Sequence, residues 1–214
     1  MTVVNVDPTN PAGAPEPLVI RMAGFTWVRM VSHQGAVPYG QQCQAAGLFV
    51  LAVITEESGG YLCPADAYQI GNEPDVGMGH TPNAKSPADF VAWWNLYRGT
   101  YPALTMIGPG LASGDPHYWR DVQAAGGLKG AAGMAVHPYG KDWVTARGLL
   151  QAYRAITPTL PVWLTEWSRP AGEIPAFKAM LRANTVADAF FCWSDGMVQG
   201  FGCSPEQRRA IGAN

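Results

Sequence analysis

Charged side chains are scarce in this chain of 214 residues: they make up 14% of it, and the formal net charge is −2. A protein that binds nucleic acid or a membrane surface carries a basic face or stripe, so this composition argues against both partners. No apolar run reaches the about 20 residues that a membrane span needs. The N-terminus, Met1 to Pro8, lacks the charged-then-apolar layout of a secretory signal. We therefore expect either a mature secreted form or a lysin that is released when a host cell lyses.

Cysteine motifs are also lacking. Cys43, Cys63, Cys192 and Cys203 show no CxxC spacing, which argues against a zinc or redox site. The local disulfide pairings are Cys43 with Cys63 and Cys192 with Cys203, and buried free thiols are the alternative. Neither an HExxH pattern nor any other clustered ligand spacing occurs. We predict a protein without a metal or another cofactor.

Aromatic and apolar residues are abundant by contrast. The hydrophobic share of 48% is ordinary for a globular protein with a real core. Eight Trp and eight Tyr stand out, because an aromatic plane offers an apolar face on which a sugar ring can lie. Part of this set must fill the core, and the rest points to a carbohydrate ligand.

Short apolar runs alternate with helix-like segments along the whole chain. The predicted strands are Val3–Val6, Thr26–Val31, Leu48–Ile54, Ala67–Ile70, Leu104–Ile107, Gly133–His137, Val162–Thr165 and Ala189–Trp193. The predicted helices are Ser86–Arg98 and Asp142–Ile156, each with an N-cap residue, then Ile174–Ala187, and the shorter Glu16–Ala23, Gly40–Ala46, Pro116–Ala125 and Pro205–Ile211. This order predicts an α/β fold, a compact (β/α)8 TIM barrel with some short or vestigial helices, in one domain over residues 1–214. An open doubly wound sheet is disfavoured because no Gly-rich phosphate-binding turn follows any strand.

Two glutamates follow apolar runs on different predicted strands. Glu73 lies in the sequence Gly-Asn-Glu-Pro-Asp after the fourth strand, and Glu166 lies in Trp-Leu-Thr-Glu-Trp on the seventh. In a barrel the carboxyl ends of the strands meet at one rim, where active sites lie. Cleavage of a glycosidic bond needs one carboxyl group as an acid while a second acts as base or nucleophile. The pair therefore predicts a glycosidase.

These motifs resemble the signatures of clan A glycoside hydrolases, which are retaining enzymes on a (β/α)8 barrel. The resemblance rests on Asn-Glu-Pro at residues 72–74, Thr-Glu-Trp at 165–167, His-Pro-Tyr at 137–139, Arg29 and Trp193. It covers nearly the whole chain in topology, although each motif is short. The compact size is similar to that of the clan's short endo-β-1,3-glucanases and family 39-type enzymes.

The resemblance implies that Glu73 is the general acid/base and that Glu166 is the nucleophile of a covalent glycosyl-enzyme intermediate. Asn72 would bind the sugar 2-hydroxyl. Arg29 and Tyr139 would hold Glu166 ionised and correctly oriented.

Three further assignments concern the surroundings of the cleaved bond. His137 would support Glu73 or the sugar, and Trp193 would form the floor beneath the ring. Trp119 and Trp167 are candidates for stacking on a sugar at a neighbouring subsite.

Together these features predict a monomeric retaining endo-glycosidase whose partner is a β-linked polysaccharide. Endo action is inferred from the compact chain, because short loops leave an open cleft rather than a blind pocket. Two alternatives remain open: a phage-type lysin that hydrolyses the glycan strands of peptidoglycan, and a barrel that binds sugars without catalysis. For a retaining enzyme we expect the two carboxyl groups to lie roughly 5–5.5 Å apart.

Overall fold

Eight parallel strands pair in chain order, and the last pairs with the first to close a barrel. A computed structural model describes residues 2–8, 14–58, 61–76, 84–138, 142–167, 170–184 and 190–192, together with 206, 209 and 210. The strands are β1 Thr2–Asn5, β2 Trp27–Val31, β3 Phe49–Ile54, β4 Ala67–Ile70, β5 Met106–Leu111, β6 Gly133–Val136, β7 Val162–Trp167 and β8 Phe190–Cys192. The predicted fold class is confirmed.

Helices follow most strands on the outside of the barrel. They are α1 Pro17–Met22, α2 Val37–Ala45, α3 Pro87–Thr100, α4 His117–Ala124, α5 Trp143–Ile156 and α6 Ile174–Asn184. Between β3 and β4 the described chain forms only the 3₁₀ turn Glu56–Ser58, as expected for a barrel with vestigial helices. None of the helices described has the length and apolar character to cross a bilayer. The extent of the domain over all 214 residues stays a prediction.

The two helices with N-cap residues begin where the sequence predicts. The Ser86 hydroxyl accepts a hydrogen bond from the Asp89 amide at 3.1 Å, and the Asp142 carboxylate accepts one from the Thr145 amide at 2.8 Å. Each bond satisfies an amide that the first helical turn leaves without an intrahelical partner. Predicted residues 185–187, and most of 205–211, lie outside the described residues.

The prediction for the fifth strand is wrong, because β5 runs from Met106 to Leu111 rather than ending at Ile107. The sequence Gly-Pro-Gly at 108–110 looks like a strand breaker. However, the pairing of β5 with β6 shifts register between Ile107 and Gly110, and a bulge of this kind accommodates a proline that cannot donate to the ladder. The seventh strand is also longer than predicted, since it continues to Trp167.

The barrel interior is built in layers of different polarity. Successive side chains on a strand point to opposite faces, so every second residue points inward. A lower inward layer is apolar and consists of Val3, Leu51, Ala67, Ile107 and Ala135. Two residues beyond Val3, Ala67 and Ala135, the inward positions carry buried polar side chains: Asn5, Gln69 and His137. The polar layer marks the end of the barrel that can hold a reactive site.

Cys43 and Cys63 are both buried free thiols, so the pairing of these two cysteines is wrong and the free-thiol alternative is confirmed for them. Burial raises the pKa of the Cys43 thiol to about 12 and also raises the pKa of the Cys63 thiol. The pairing of Cys192 with Cys203 lies outside the described side chains.

We predict that Cys43 and Cys63 resist alkylation by iodoacetamide at pH 8–9 in the folded protein and react fully in guanidinium chloride. A raised pKa keeps each thiol in its unreactive neutral form as the pH passes the range in which an ordinary thiol ionises. Peptide mass spectrometry measures the labelled fraction of each cysteine. An Ala124→Cys variant, exposed on α4, supplies a reactive reference in the same molecule. Equal labelling of Cys43 and this reference in the folded state would contradict the prediction.

Candidate active site

A buried arginine organises the polar end of the barrel. The Arg29 Nη1 donates to Glu166 Oε1 at 2.6 Å and to Asn5 Oδ1 at 2.8 Å, while Nη2 donates to Asn72 Oδ1 at 2.8 Å. The Nε donates to Gln69 Oε1 at 3.2 Å. The Arg29 side chain is only 6% exposed and that of Glu166 13%. The positive charge of Arg29 at this distance favours the ionised form of Glu166. The carboxylate in turn offsets the cost of burying the guanidinium.

Glu73 has a different partner. Its Oε1 lies 2.9 Å from His137 Nδ1, and the other ring nitrogen of His137 lies 3.0 Å from Thr165 Oγ1 and 3.7 Å from Glu166 Oε1. The Glu73 side chain is 22% exposed, whereas His137 is completely enclosed. A ring nitrogen can donate to a carboxylate or accept from a carboxylic acid. The contact with His137 is therefore compatible with either protonation state of Glu73.

The two carboxyl groups face each other at close range. One oxygen of Glu73, one oxygen of Glu166 and a ring nitrogen of His137 all lie within 4.8 Å of one another. Two glutamate side chains thus share one site in contrasting surroundings. Glu166 contacts the positive charge of Arg29, and Glu73 contacts the imidazole of His137.

The backbone around Glu73 is strained. Among the described residues, Glu73 is the one non-glycine with a positive φ, at 52°, a left-handed conformation that side chains other than glycine adopt at a cost. Its amide donates to the Gly110 carbonyl at 2.8 Å, and the Asp75 carboxylate accepts from the amides of Ala112 and Ser113. These bonds tie the loop after β4 to the end of β5 and hold the Glu73 carboxyl group over the rim.

A bulge in β7 brings Glu166 to the same rim. Leu164 and Trp167 are three residues apart on β7, and they pair with Phe190 and Cys192, which are two apart on β8. The extra residue interrupts the inward–outward alternation, so that Thr165 and Glu166 both face the site. Trp167 then packs outward, where it stacks on Phe177 of α6 with ring centroids 4.8 Å apart.

Gly110 provides the space for His137. A Cβ atom at Gly110 would lie 2.2 Å from His137 Nε2 and 2.9 Å from Gln69 Nε2, far inside contact distance. Neither Gly110 nor Gln69 is among the site residues predicted from the sequence. The sequence does contain a signal for Gln69: a glutamine on a short, otherwise largely apolar strand, two residues after Ala67 and so on the same face of the sheet. No sequence signal indicates the role of Gly110, because that role depends on His137, 27 residues away in sequence.

The structure brings Glu73, Glu166, Asn72, Arg29 and His137 into one network. Tyr139 and Trp193 lie outside the described residues, so their assignments stay predictions.

The stacking roles for Trp119 and Trp167 are wrong. Trp119 is fully buried on α4 and its indole donates to the Thr157 hydroxyl at 3.0 Å. Trp167 is 1% exposed. Both rings are covered by the packing between strands and helices, which leaves no face for a sugar.

The polar network continues into a depression beside Arg29. The depression has a volume of about 150 Å³ and is lined by the ends of β1 and β2 and the residues after them, including Asp7 and His33. Its lining combines the polar residues Asn5, Asp7, Arg29 and His33 with the apolar residues Val6, Pro8, Met30 and Val31.

Glu73, His137 and Glu166 are also the described side chains that lie close enough together to offer three ligands to a metal ion. In this arrangement His137 Nδ1 contacts Glu73, His137 Nε2 contacts Thr165, and the Glu166 oxygen contacts Arg29. A cation at this place would meet the guanidinium charge. The donor set is therefore better suited to proton transfer than to metal binding, and the absence of a metal stays a prediction.

Solved structures with the same fold include several glycoside hydrolases. A GH128 (subgroup V) exo-β-1,3-glucanase from Cryptococcus neoformans matches with a TM-score of 0.70 at 14% identity, covering 90% of this chain and 85% of that one. A GH128 (subgroup IV) endo-β-1,3-glucanase from Lentinula edodes matches with a TM-score of 0.67 at 12% identity, covering 89% and 82%. A GH39 enzyme from Xanthomonas axonopodis pv. citri matches with a TM-score of 0.58 at 14% identity, covering 90% and 61%. No family model matches the sequence, and neither does any curated protein. The TM-scores show that this chain shares their fold. At identities of 12–14% the likeness shows the fold alone.

We predict that Gly110→Ala lowers the free energy of unfolding by about 1–3 kcal/mol, because the added methyl group forces the His137 ring out of its place. Urea unfolding measures the loss, and a crystal structure of the variant shows the position of the ring. The matched control is Gly148→Ala in the middle of α5, where nothing lies within 4 Å of the new Cβ. That change should raise stability by up to about 1 kcal/mol. An unmoved His137 and unchanged stability in Gly110→Ala would contradict the prediction.

Proposed function

We propose that the protein is a retaining glycoside hydrolase that cleaves β-linked glucans from within the chain. The observation that carries the proposal is that one carboxylate oxygen of Glu73 lies within 4.8 Å of one carboxylate oxygen of Glu166, in unlike surroundings. Inverting enzymes keep their carboxyl groups roughly 6.5–9.5 Å apart to admit a water, whereas double displacement uses the shorter spacing. The β-1,3-glucanase neighbours support a β-glucan as the polymer.

In the first step Glu166 attacks the anomeric carbon while protonated Glu73 gives its proton to the leaving oxygen. The glycosidic bond breaks, and an ester forms between the sugar and Glu166. The negative charge moves from Glu166 to Glu73, where His137 Nδ1 at 2.9 Å can donate to it.

In the second step Glu73 takes a proton from a water molecule, and the oxygen of that water attacks the anomeric carbon. The ester bond breaks, Glu166 regains its charge beside Arg29, and Glu73 is again protonated. Arg29 thus stabilises Glu166 as a leaving group after having positioned it as a nucleophile.

In the proposal Asn72 binds the substrate beside the two carboxyl groups. Its side-chain oxygen accepts from Arg29 at 2.8 Å, which directs its amide N–H donors to another partner. In the proposed mechanism that partner is the sugar 2-hydroxyl, whose hydrogen bond strengthens in the oxocarbenium-like transition state.

The polymer is identified by a panel of glycans. Purified protein is assayed for reducing sugar released from laminarin, cellulose, xylan and mannan, and for clearing of bacterial walls. We expect release from laminarin as a ladder of oligosaccharides, which marks endo action. Glucose alone as the early product would contradict the endo assignment, and clearing of walls without release from any plant or fungal glycan would make the protein a lysin.

We predict that Glu73→Gln lowers kcat on the best glycan by roughly 10²–10⁴-fold, since the amide cannot donate the proton or deprotonate water. Glu166→Gln should abolish turnover, because an amide is a poor nucleophile and the ester cannot form. Glu173→Gln, exposed on the 3₁₀ turn before α6, is the control and should keep wild-type kcat. Full activity in either of the first two variants would overturn the assignment.

A further inference from the structure

A buried glutamine links the two halves of the site. Gln69 on β4 is completely enclosed. Its Oε1 accepts from Arg29 Nε at 3.2 Å, and its Nε2 donates to the Gly71 carbonyl at 2.8 Å. The side chain therefore spans from the arginine that holds Glu166 to the backbone directly before Asn72 and Glu73.

This contact crosses the barrel rather than following the sheet. β3 lies between β2 and β4, so the bond from Gln69 to Arg29 joins strands that are not neighbours. The orientation of the amide is determined by its partners, because Arg29 Nε can only donate and the Gly71 carbonyl can only accept. A flipped amide would set donor against donor and acceptor against acceptor.

Gln69 also limits how the guanidinium can turn. A guanidinium is planar, and rotation of that plane about the Cδ–Nε bond would carry Nη1 away from Glu166. The bond at Nε fixes one edge of the plane, while Asn5 and Asn72 engage the Nη atoms at 2.8 Å. All three of these partners are neutral amides, whereas Glu166 offers Arg29 a carboxylate at 2.6 Å.

We infer that Gln69 is a positioning residue that fixes the Arg29 guanidinium on Glu166 and that, as a neutral acceptor, it does not compete with that carboxylate for the charge of Arg29. The inference rests on the proposed function of Glu166. A merely structural glutamine would affect stability alone, whereas a positioning role also affects the chemical step and its dependence on pH.

The test compares Gln69→Glu and Gln69→Met. The glutamate keeps an acceptor for Arg29 but adds a second carboxylate that competes with Glu166, and it loses the donor to Gly71. The methionine has a similar length and removes both bonds. Gln41→Glu adds the same charge on the exposed face of α2 and is the control for charge alone.

We expect Gln69→Glu to lower kcat by about 10–100-fold with KM within about twofold, since substrate binding is kept while the nucleophile is misplaced. The acid limb of the kcat/KM profile should move to higher pH, because the new charge disfavours ionised Glu166. Among the described residues, titratable groups that face Glu166 include Arg29 from β2, His137 from the end of β6 and Glu73 from the loop after β4. Gln69→Met should lower kcat to a similar extent, and Gln41→Glu should leave kcat and the acid limb unchanged.

A second readout does not depend on turnover. In ¹⁵N NMR spectra the Arg29 Nε–H signal, assigned by its loss in Arg29→Lys, should be protected from solvent exchange in the wild type and exchange rapidly in Gln69→Met. An unaltered Arg29 signal in Gln69→Met, or wild-type kcat and pH profile in folded Gln69→Glu, would overturn the inference. A wild-type protein that cleaves no glycan would instead overturn the proposed function, and the NMR signal would then decide the role of Gln69 by itself.

Discussion

A guanidinium inside a barrel requires a partner of opposite charge, and the Arg29–Glu166 pair at 2.6 Å meets that requirement. The rest of the site depends on this pair. Arg29 has bonding partners on β1, β4, the loop after β4 and β7, so one side chain sets the position of four parts of the chain. Removal of either charge would leave the other buried and uncompensated, which makes the pair both a structural requirement and an electrostatic bias on Glu166.

That bias gives the two glutamates opposite roles. Glu166 lies beside a charge that cannot be removed near neutral pH, whereas Glu73 lies beside His137, a group that can give or accept a proton. The left-handed backbone of Glu73 and the bulge at Glu166 are both departures from regular geometry. Each departure aims a carboxyl group at a common point, and the packed barrel around the site offsets the cost.

Much of the fold and of the central site follows from the sequence, because short apolar runs with alternating helices and the two glutamate motifs are local patterns. Ser86 and Asp142 are examples, since an N-cap depends only on the next few residues. The extension of β5 through Pro109 could not be foreseen, because it depends on a register shift against β6. Trp119 could not be placed from the sequence either. An aromatic residue shortly after a strand is a candidate for stacking on a sugar, and only the packing of α4 shows that Trp119 is enclosed. Contacts over long sequence distances decide these features.

The most direct measurement of the central claim is covalent trapping with a 2-deoxy-2-fluoro-β-glucoside that carries a dinitrophenyl leaving group. The fluorine slows hydrolysis of the glycosyl-enzyme, so intact-mass and peptide mass spectrometry can locate the sugar. We predict one fluoroglycosyl group per protein, on the peptide that contains Glu166, and none in Glu166→Gln. A sugar attached to Glu73, or steady release of the α-anomer as the first product with no adduct, would contradict it.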